Sequence, residues 1–235
     1  MSKKRFSLLS PQFASRSEID GDISVQKLEG LYSKIYSSSP TPLSDIVRVA
    51  ERAVSGDTMK AEALHLLHEF VVQRKRNLSA EDICSVLSVA VEGQGKGVEV
   101  REMCETLFLE LKTPSRASEL VESVGAENIS LVVHAQARLG IRECELSRIC
   151  LDSLACKLAD LSAAHIASLL TDMIDMKISH QRLLESIVFL LPAIPCNDEE
   201  LKSISESLVS LNAGSQEDRE FLLNLVKFRN VVVLD

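Results

Sequence analysis

One cluster of side chains in the sequence has the residue types of a metal site. Its members are Glu62, His65, His68 and Glu69, spaced three and four residues apart. On a helix this spacing puts them along one face. A metal site between helices also takes imidazole and carboxylate ligands from a second helix, whereas the remaining histidines stand alone, at His134, His165 and His180. The sequence therefore predicts no metal and no cofactor, and it favours capping and surface roles for these residues.

The glycine-rich stretch GQGKG at residues 93–97 suggests phosphate binding at first sight. A P-loop, however, needs the pattern GxxxxGK[ST] after a strand, and this stretch joins two predicted helices. The nucleophile motif GxSxG is absent, and no local motif pairs a cysteine with a histidine. We predict that the protein is not an enzyme and has no small-molecule substrate.

The six cysteines are typical of an intracellular protein. None forms a CxxC pair, and the chain is too long for a small disulfide scaffold. We expect reduced, mostly buried thiols, with packing rather than reactivity explaining Cys104 and Cys150. The full set is Cys84, Cys104, Cys144, Cys150, Cys156 and Cys196.

The densest basic cluster is Arg74-Lys75-Arg76, in the segment VVQRKRN. One interpretation is electrostatic, because cations are favoured at the C-terminus of a helix and are readily solvated there. The other is a contact with RNA phosphate or with an acidic protein. Further candidates for the same contact are Lys3, Lys4, Arg5, Arg138 and Arg142.

Composition and charge restrict the class of protein. The chain has 235 residues, of which 46% are hydrophobic, 26% charged and only 4% aromatic, with no Trp. This composition indicates a helical protein with a sizeable core. No apolar run reaches about 18 residues, which excludes a membrane-spanning helix. Residues 1–77 carry a net charge of +3 and residues 78–235 carry −11. Such a division suits a protein placed between different partners, and a solvated acidic surface is the alternative.

The first 17 residues, MSKKRFSLLSPQFASRS, contain four basic side chains, five serines and no acid. This composition is typical of a mitochondrial transit peptide. The alternative is a disordered basic tail. We predict a mitochondrial matrix protein.

An internal repeat organises the rest of the chain. A marker isoleucine recurs at spacings of 37, 46, 37 and 38 residues, and the longest spacing contains an insertion, KTPSRASELVESV. A glycine follows the marker by ten or eleven residues in four units, as expected of a residue that ends a helix with positive φ. The fourth unit has Met176-Lys177 instead. The markers are Ile46, Ile83, Ile129, Ile166 and Ile204, and the glycines are Gly56, Gly93, Gly140 and Gly214.

A second helix follows each glycine, because apolar residues recur 17, 21 and 24 positions after the marker. The first helix of a unit is predicted to begin at a Ser, Asp or Asn cap near Ser44, Ser79 and Ser162, with acids in its first turn. The three apolar columns are Ala63, Val100, Leu146, Leu183 and Phe221; Leu67, Cys104, Cys150, Ile187 and Leu225; and Phe70, Leu107, Ser153, Leu190 and Phe228.

We therefore predict an all-α fold, an α-solenoid of about five helix-turn-helix repeats of roughly 37 residues. Residues 1–24 form the basic leader or tail, residues 25–40 a capping helix (Val25–Ser37) and linker, and residues 41–235 the array. The segment SSSPTP at residues 37–42 separates the capping helix from the array. The closing Val231–Leu234 is strand-like and is expected to pair with a partner.

The segments Ala126–Ser153 and Leu161–Ile187 resemble the helical repeats of the heptatricopeptide, octotricopeptide and FAST-kinase/RAP group. Tetratricopeptide, ankyrin and HEAT or armadillo signatures are absent. The resemblance spans residues 41–230, and its matching positions are Leu139-Gly140, Leu161-Ser162, Ile166 and Leu169-Leu170. It implies an organellar protein acting in RNA processing, RNA stability or mitochondrial ribosome structure. The resemblance does not extend to a RAP domain, so we expect no activity of that domain, and the residues nine positions after each marker form no consistent base-reading code.

Together these features predict a non-enzymatic scaffold subunit of a mitochondrial RNA-containing assembly, either the mitochondrial ribosome or an RNA-processing complex. Its partners would be other protein subunits and RNA, the RNA contacted mainly through phosphate. The first alternative is a protein-protein adaptor or accessory subunit of a non-RNA mitochondrial complex, such as a respiratory or ATP-synthase assembly. The second is a sequence-specific RNA-binding factor.

Overall fold

The chain is helical throughout the part that the structure describes. The computed structural model describes residues 43–56, 60–92, 98–141, 144–217 and 219–221, together with Gly30, Ser33 and Asn224, and it contains no strand among them. In chain order the helices are α1 (Leu43–Gly56), α2 (Lys60–Arg74), α3 (Ala80–Glu92), α4 (Val98–Leu111), α5 (Pro114–Ser123), α6 (Ala126–Leu139), α7 (Cys144–Lys157), α8 (Ala163–Met176), α9 (Gln181–Leu190) and α10 (Asp198–Ser210), with 3₁₀ turns at Lys75–Asn77, Leu158–Asp160 and Leu191–Ala193.

The helices pack in two layers. In the first layer α1, α3, α6, α8 and α10 each contact the next. In the second layer α2 packs on α4 and α7 on α9, and α5 contacts both α4 and α7. We call the pairs α1–α2, α3–α4, α6–α7 and α8–α9 units one to four, and α10 begins unit five. The predicted insertion is therefore the extra helix α5, which lies between units two and three in the second layer.

The predicted apolar columns form the core. All five marker isoleucines are completely buried. The columns 17 and 21 positions later are buried in units one to four, while Ser153 and Leu190 in the third column are half-buried. The exception is Phe221, which is 48% exposed and so does not serve as a core residue. Leu225 and Phe228 lie outside the described residues.

Three first-layer helices end on a residue with positive φ. Gly140 (φ 64°) ends α6 as predicted, and Lys177 (φ 56°) takes the same place after α8 without being a glycine. In unit five Gly214 has positive φ (67°) as predicted, but the residue that ends α10 is Asn212 (φ 53°), whose N–H bonds to the carbonyl of Val209. The helix α10 ends nearer to its marker isoleucine than α6 and α8 do. An asparagine can end it, because asparagine adopts the left-handed region more readily than most residues other than glycine. Gly56 is the last residue of α1, and Gly93 lies outside the described residues.

Side-chain caps begin several of the helices. Ser162 accepts a hydrogen bond from the N–H of His165 at 3.3 Å, and Ser79 accepts one from Asp82 at 3.1 Å, both as predicted. Asn197 and Glu200 form a reciprocal capping box at the start of α10. Ser44 itself lies within α1, whose first described residue is Leu43, and the residue before the helix lies outside the described residues.

Several predictions fall on residues that the structure leaves undescribed. They are the leader, the capping helix apart from the helical Gly30 and Ser33, the segment 37–42 and the strand-like Val231–Leu234. Within the described ranges, every helix is too short or too polar to cross a bilayer.

The marker column should dominate stability. We expect Ile166→Ala to lower the free energy of unfolding by about 2–5 kcal/mol, because it removes a fully buried side chain and leaves a cavity. The matched control is Ile174→Ala in the same helix, which removes the same atoms from a side chain that is 37% exposed and should cost much less. Urea denaturation of both variants measures the difference, and equal losses would contradict a core centred on the marker.

Candidate nucleic-acid interface

The basic cluster of the sequence forms a compact turn between units one and two. We call Arg74, Lys75 and Arg76 the basic turn. Arg74 ends α2, and the other two begin the 3₁₀ turn that follows it. Arg74 and Lys75 are half-buried, and Arg76 is exposed. Buried Leu78 fixes the chain just after the turn. None of the three side chains forms an ion pair with another described residue, so three positive charges remain available to an anionic partner.

A second element supports the basic turn. The guanidinium of Arg116, in the inserted helix α5, donates a hydrogen bond to the carbonyl oxygen of Arg76 at 2.9 Å. It also pairs with Glu119 at 2.7 Å, and Glu119 accepts the N–H of Ala80 at 2.9 Å. The Ala80 N–H, followed by Arg116, holds the pKa of the Glu119 carboxyl below its usual value. The turn is thereby tied to the start of α3 and to α5.

Sequence reasoning did not select Arg116, although a signal for its position exists. Thr113-Pro114 marks the start of a helix, because proline is favoured in the first helical turn, and Arg116 and Glu119 are spaced for an ion pair. The contact with Arg76, 40 residues away, depends on how α5 packs and cannot be obtained from local spacing.

Of the other predicted contact residues, the structure describes only Arg138. Arg138 is exposed in the last turn of α6, where a first helix passes into the second helix of its unit. The basic turn lies where a second helix passes into the next unit. The carbonyl of Leu139, next to Arg138 in the chain, accepts a hydrogen bond from Arg101 of α4 at 3.5 Å, and Arg101 also pairs with Glu105. Lys3, Lys4, Arg5 and Arg142 lie outside the described residues.

Three of the four residues that the sequence groups as metal-ligating types come close together on α2. His65, His68 and Glu69 each bring one ligand atom to within 4.8 Å of the others. Glu62, the fourth member in the sequence, does not belong to this group.

The remaining three histidines each pair with a carboxylate between units three and four. His134 on α6 places Nδ1 3.0 Å from both oxygens of Asp172, which is buried on α8. Because Asp172 is enclosed, this contact supplies the partner that a buried carboxylate requires. The other two pairs are His165 with Glu127 at 3.6 Å and His180 with Asp152 at 3.1 Å. These histidines therefore serve the packing of neighbouring units.

A groove of about 410 Å³ lies between α7 and the α8–α9 turn, and it holds serine, histidine and aspartate side chains. The ring of His180 uses both nitrogens structurally. Its Nδ1 accepts the N–H of Leu183 at 3.3 Å and its Nε2 faces Asp152. Neither nitrogen is left to remove a proton from Ser179, so the three groups do not form a nucleophile and base as arranged here.

Burial keeps the core thiols protonated and therefore unreactive. Burial raises the pKa of Cys84 and of Cys104 to about 12, with smaller contributions from the nearby Glu81 and Glu105, and it raises the pKa of Cys150 further. A thiol that stays protonated is a poor nucleophile. Cys156 is exposed and Cys196 is half-buried, and none of the five thiols that the structure describes forms a disulfide. Packing therefore explains the core cysteines, as the sequence predicted.

Comparison with known proteins adds no identification: no family model, no curated protein and no solved structure matches this chain.

The thiol pKa values predict an alkaline limit to stability. A buried thiol stays protonated in the folded chain and ionises near pH 9 once unfolded, so each contributes stability that falls as pH rises above 9. We expect Cys104→Ala to reduce this loss by about 1.4 kcal/mol per pH unit between pH 9 and its folded pKa. Denaturation from pH 7 to 11 measures it. Cys156→Ala is the control, and an identical pH slope in Cys104→Ala and the wild type would contradict the prediction.

Proposed function

We propose that the chain is a non-enzymatic α-solenoid that serves as a scaffold subunit of a mitochondrial RNA-containing assembly, either the mitochondrial ribosome or an RNA-processing complex. The supporting observation for the solenoid is the order of packing, in which each first helix contacts the next first helix along one layer. A hydrogen bond between units three and four supports the same arrangement. His134 bonds to Asp172, 38 residues away, which is close to the repeat period.

The basic turn is the feature that supports RNA binding in this proposal. Its three cations lack carboxylate partners among the described residues, and Arg116 holds the backbone of Arg76 in place from α5. A fixed cluster of unpaired cations suits a phosphate backbone, which is bound by charge and without base reading. The chain is poor in aromatic side chains, which argues against base stacking and therefore against a sequence-specific RNA-binding factor.

An exposed apolar segment is the feature that supports binding to a protein partner in this proposal. Phe189, near the end of α9, is 82% exposed, and it is followed by exposed Pro192, Ala193 and Pro195. The eight residues 189–196 carry no charge. We propose that this uncharged segment makes a protein-protein contact through its exposed apolar side chains. The net charge of −11 over residues 78–235 favours a basic protein as the partner.

The mitochondrial location rests on two features of the sequence. The acid-free basic leader has the composition of a transit peptide. The repeat pattern resembles the heptatricopeptide, octotricopeptide and FAST-kinase/RAP group of organellar RNA proteins. We propose import into the matrix on these grounds.

A second candidate function is a protein adaptor in a non-RNA mitochondrial complex. The acidic excess and the apolar segment at residues 189–196 favour it, because neither feature needs RNA. The two candidates differ in the role they give to the basic turn, and experiments can separate them on that point.

The basic turn predicts salt-dependent RNA binding. Three phosphate contacts to a single strand give a salt slope near −2, so the wild-type affinity should fall roughly twentyfold when salt rises fourfold. We expect the variant with Arg74, Lys75 and Arg76 replaced by Ala to bind a mixed-sequence single-stranded RNA more weakly and with a shallower slope. Fluorescence anisotropy across a salt series measures both quantities.

The matched control for this variant removes three cations that are already neutralised. Arg48, Arg101 and Lys202 pair with Asp45, Glu105 and Glu206, respectively. Replacing all three by Ala changes the net charge equally and should leave RNA affinity nearly unchanged. If both triple variants bind alike, the basic turn is not the RNA contact.

The assembly itself is identified by purifying the tagged chain from mitochondria with and without RNase. We expect ribosomal or RNA-processing proteins together with their RNA, with Phe189→Ala losing protein partners and Leu109→Ala, another exposed apolar side chain, retaining them. Membrane-complex subunits without enriched RNA would overturn the RNA-containing assembly and support the adaptor.

A further inference from the structure

The helix α2 brings two imidazoles and a carboxylate together on one half-buried face. His65, His68 and Glu69 are spaced by three and four residues, so they lie within a single turn of the helix. The rings of His65 and His68 are roughly stacked, with centroids 6.4 Å apart and an angle of 29° between their planes. One ligand atom of each of the three residues lies within 4.8 Å of the others. This is the arrangement of a small tridentate site.

The surroundings of His68 supply a second observation. Its Nδ1 is closed off from solvent and has no hydrogen-bond partner. A buried nitrogen without a partner is costly and calls for an explanation. A metal ion bound at this Nδ1 would supply the partner that the nitrogen lacks among the described residues.

We propose that His65, His68 and Glu69 bind a divalent transition-metal ion of the zinc type. Two imidazoles and one carboxylate suit Zn²⁺, which takes both ligand types at about 2.0–2.2 Å. They do not suit Ca²⁺ or Mg²⁺, which prefer an all-oxygen set. Ligand atoms around tetrahedral Zn²⁺ are separated by about 3.4 Å, so small side-chain rotations would close the present group on the ion. Three protein ligands leave a fourth position for water.

The helix lowers the entropic cost of forming such a site. All three ligands project from one element that is already ordered by its packing against α1 and α4. Binding of the ion would link three side chains of α2, the helix that directly precedes the basic turn in the chain. The proposal is independent of the proposed function, because it rests on contacts within α2 and needs neither RNA nor a protein partner.

The test is isothermal titration of the metal-free full-length chain with Zn²⁺, followed by thermal unfolding. We expect one ion per chain at this site and a rise in Tm of about 5–10 °C when free Zn²⁺ is about 100 times the Kd. The double variant His65→Ala, His68→Ala should lose this transition. Glu69→Gln, which keeps the side-chain volume, should weaken binding at least about tenfold, since loss of an outer-shell partner alone costs that much.

The matched control is His165→Ala, which removes a helical histidine paired with Glu127 elsewhere in the fold. It should bind Zn²⁺ like the wild type. Alanine favours the helix, and circular dichroism verifies that each variant is folded. The proposal is overturned if the wild type takes up no more Zn²⁺ than the double variant, or if His165→Ala loses binding to the same extent.

Discussion

Burial of the marker isoleucines between adjacent units is the interaction on which the rest of the structure depends. A single helix pair exposes much of its apolar stripe, and only a neighbouring pair can cover it. Each marker side chain is fully enclosed, and each first helix contacts the next one along the layer. The basic turn and the apolar segment around Phe189 each lie next to helices that contribute to this core.

Polar contacts refine the stacking that the apolar core drives. Asp172 is buried in α8 and depends on His134 of α6 for a partner. Such a pair adds specificity of register more than net stability, because desolvation of the carboxylate offsets much of the attraction. Arg116 and Glu119 likewise form polar contacts that join the inserted helix to units one and two. The insertion thus fills the second layer and also supports the turn that we propose to contact RNA.

Several features of the described residues bear on the proposed function. The basic turn is positively charged, the segment at residues 189–196 exposes apolar side chains, and the core thiols have raised pKa values that keep them protonated. In the groove between α7 and the α8–α9 turn, the imidazole of His180 is engaged on both nitrogens. These arrangements suit a protein that holds partners in place, and they are the physical basis of the scaffold proposal.

The sequence by itself determined the helical class, the phase of the core and the presence of an insertion. These depend on periodicity and on caps such as Ser162, which are interactions between residues within a few positions of each other. Lys177 and Asn212 show the limit of such rules, since each adopts positive φ at the end of its helix although neither is a glycine. Only the tertiary structure decided that α5 lies between α4 and α7, that Arg116 reaches Arg76 and that His134 meets Asp172. Those contacts join residues 38 to 40 positions apart, so they are set by the register between packed units, which local periodicity does not encode.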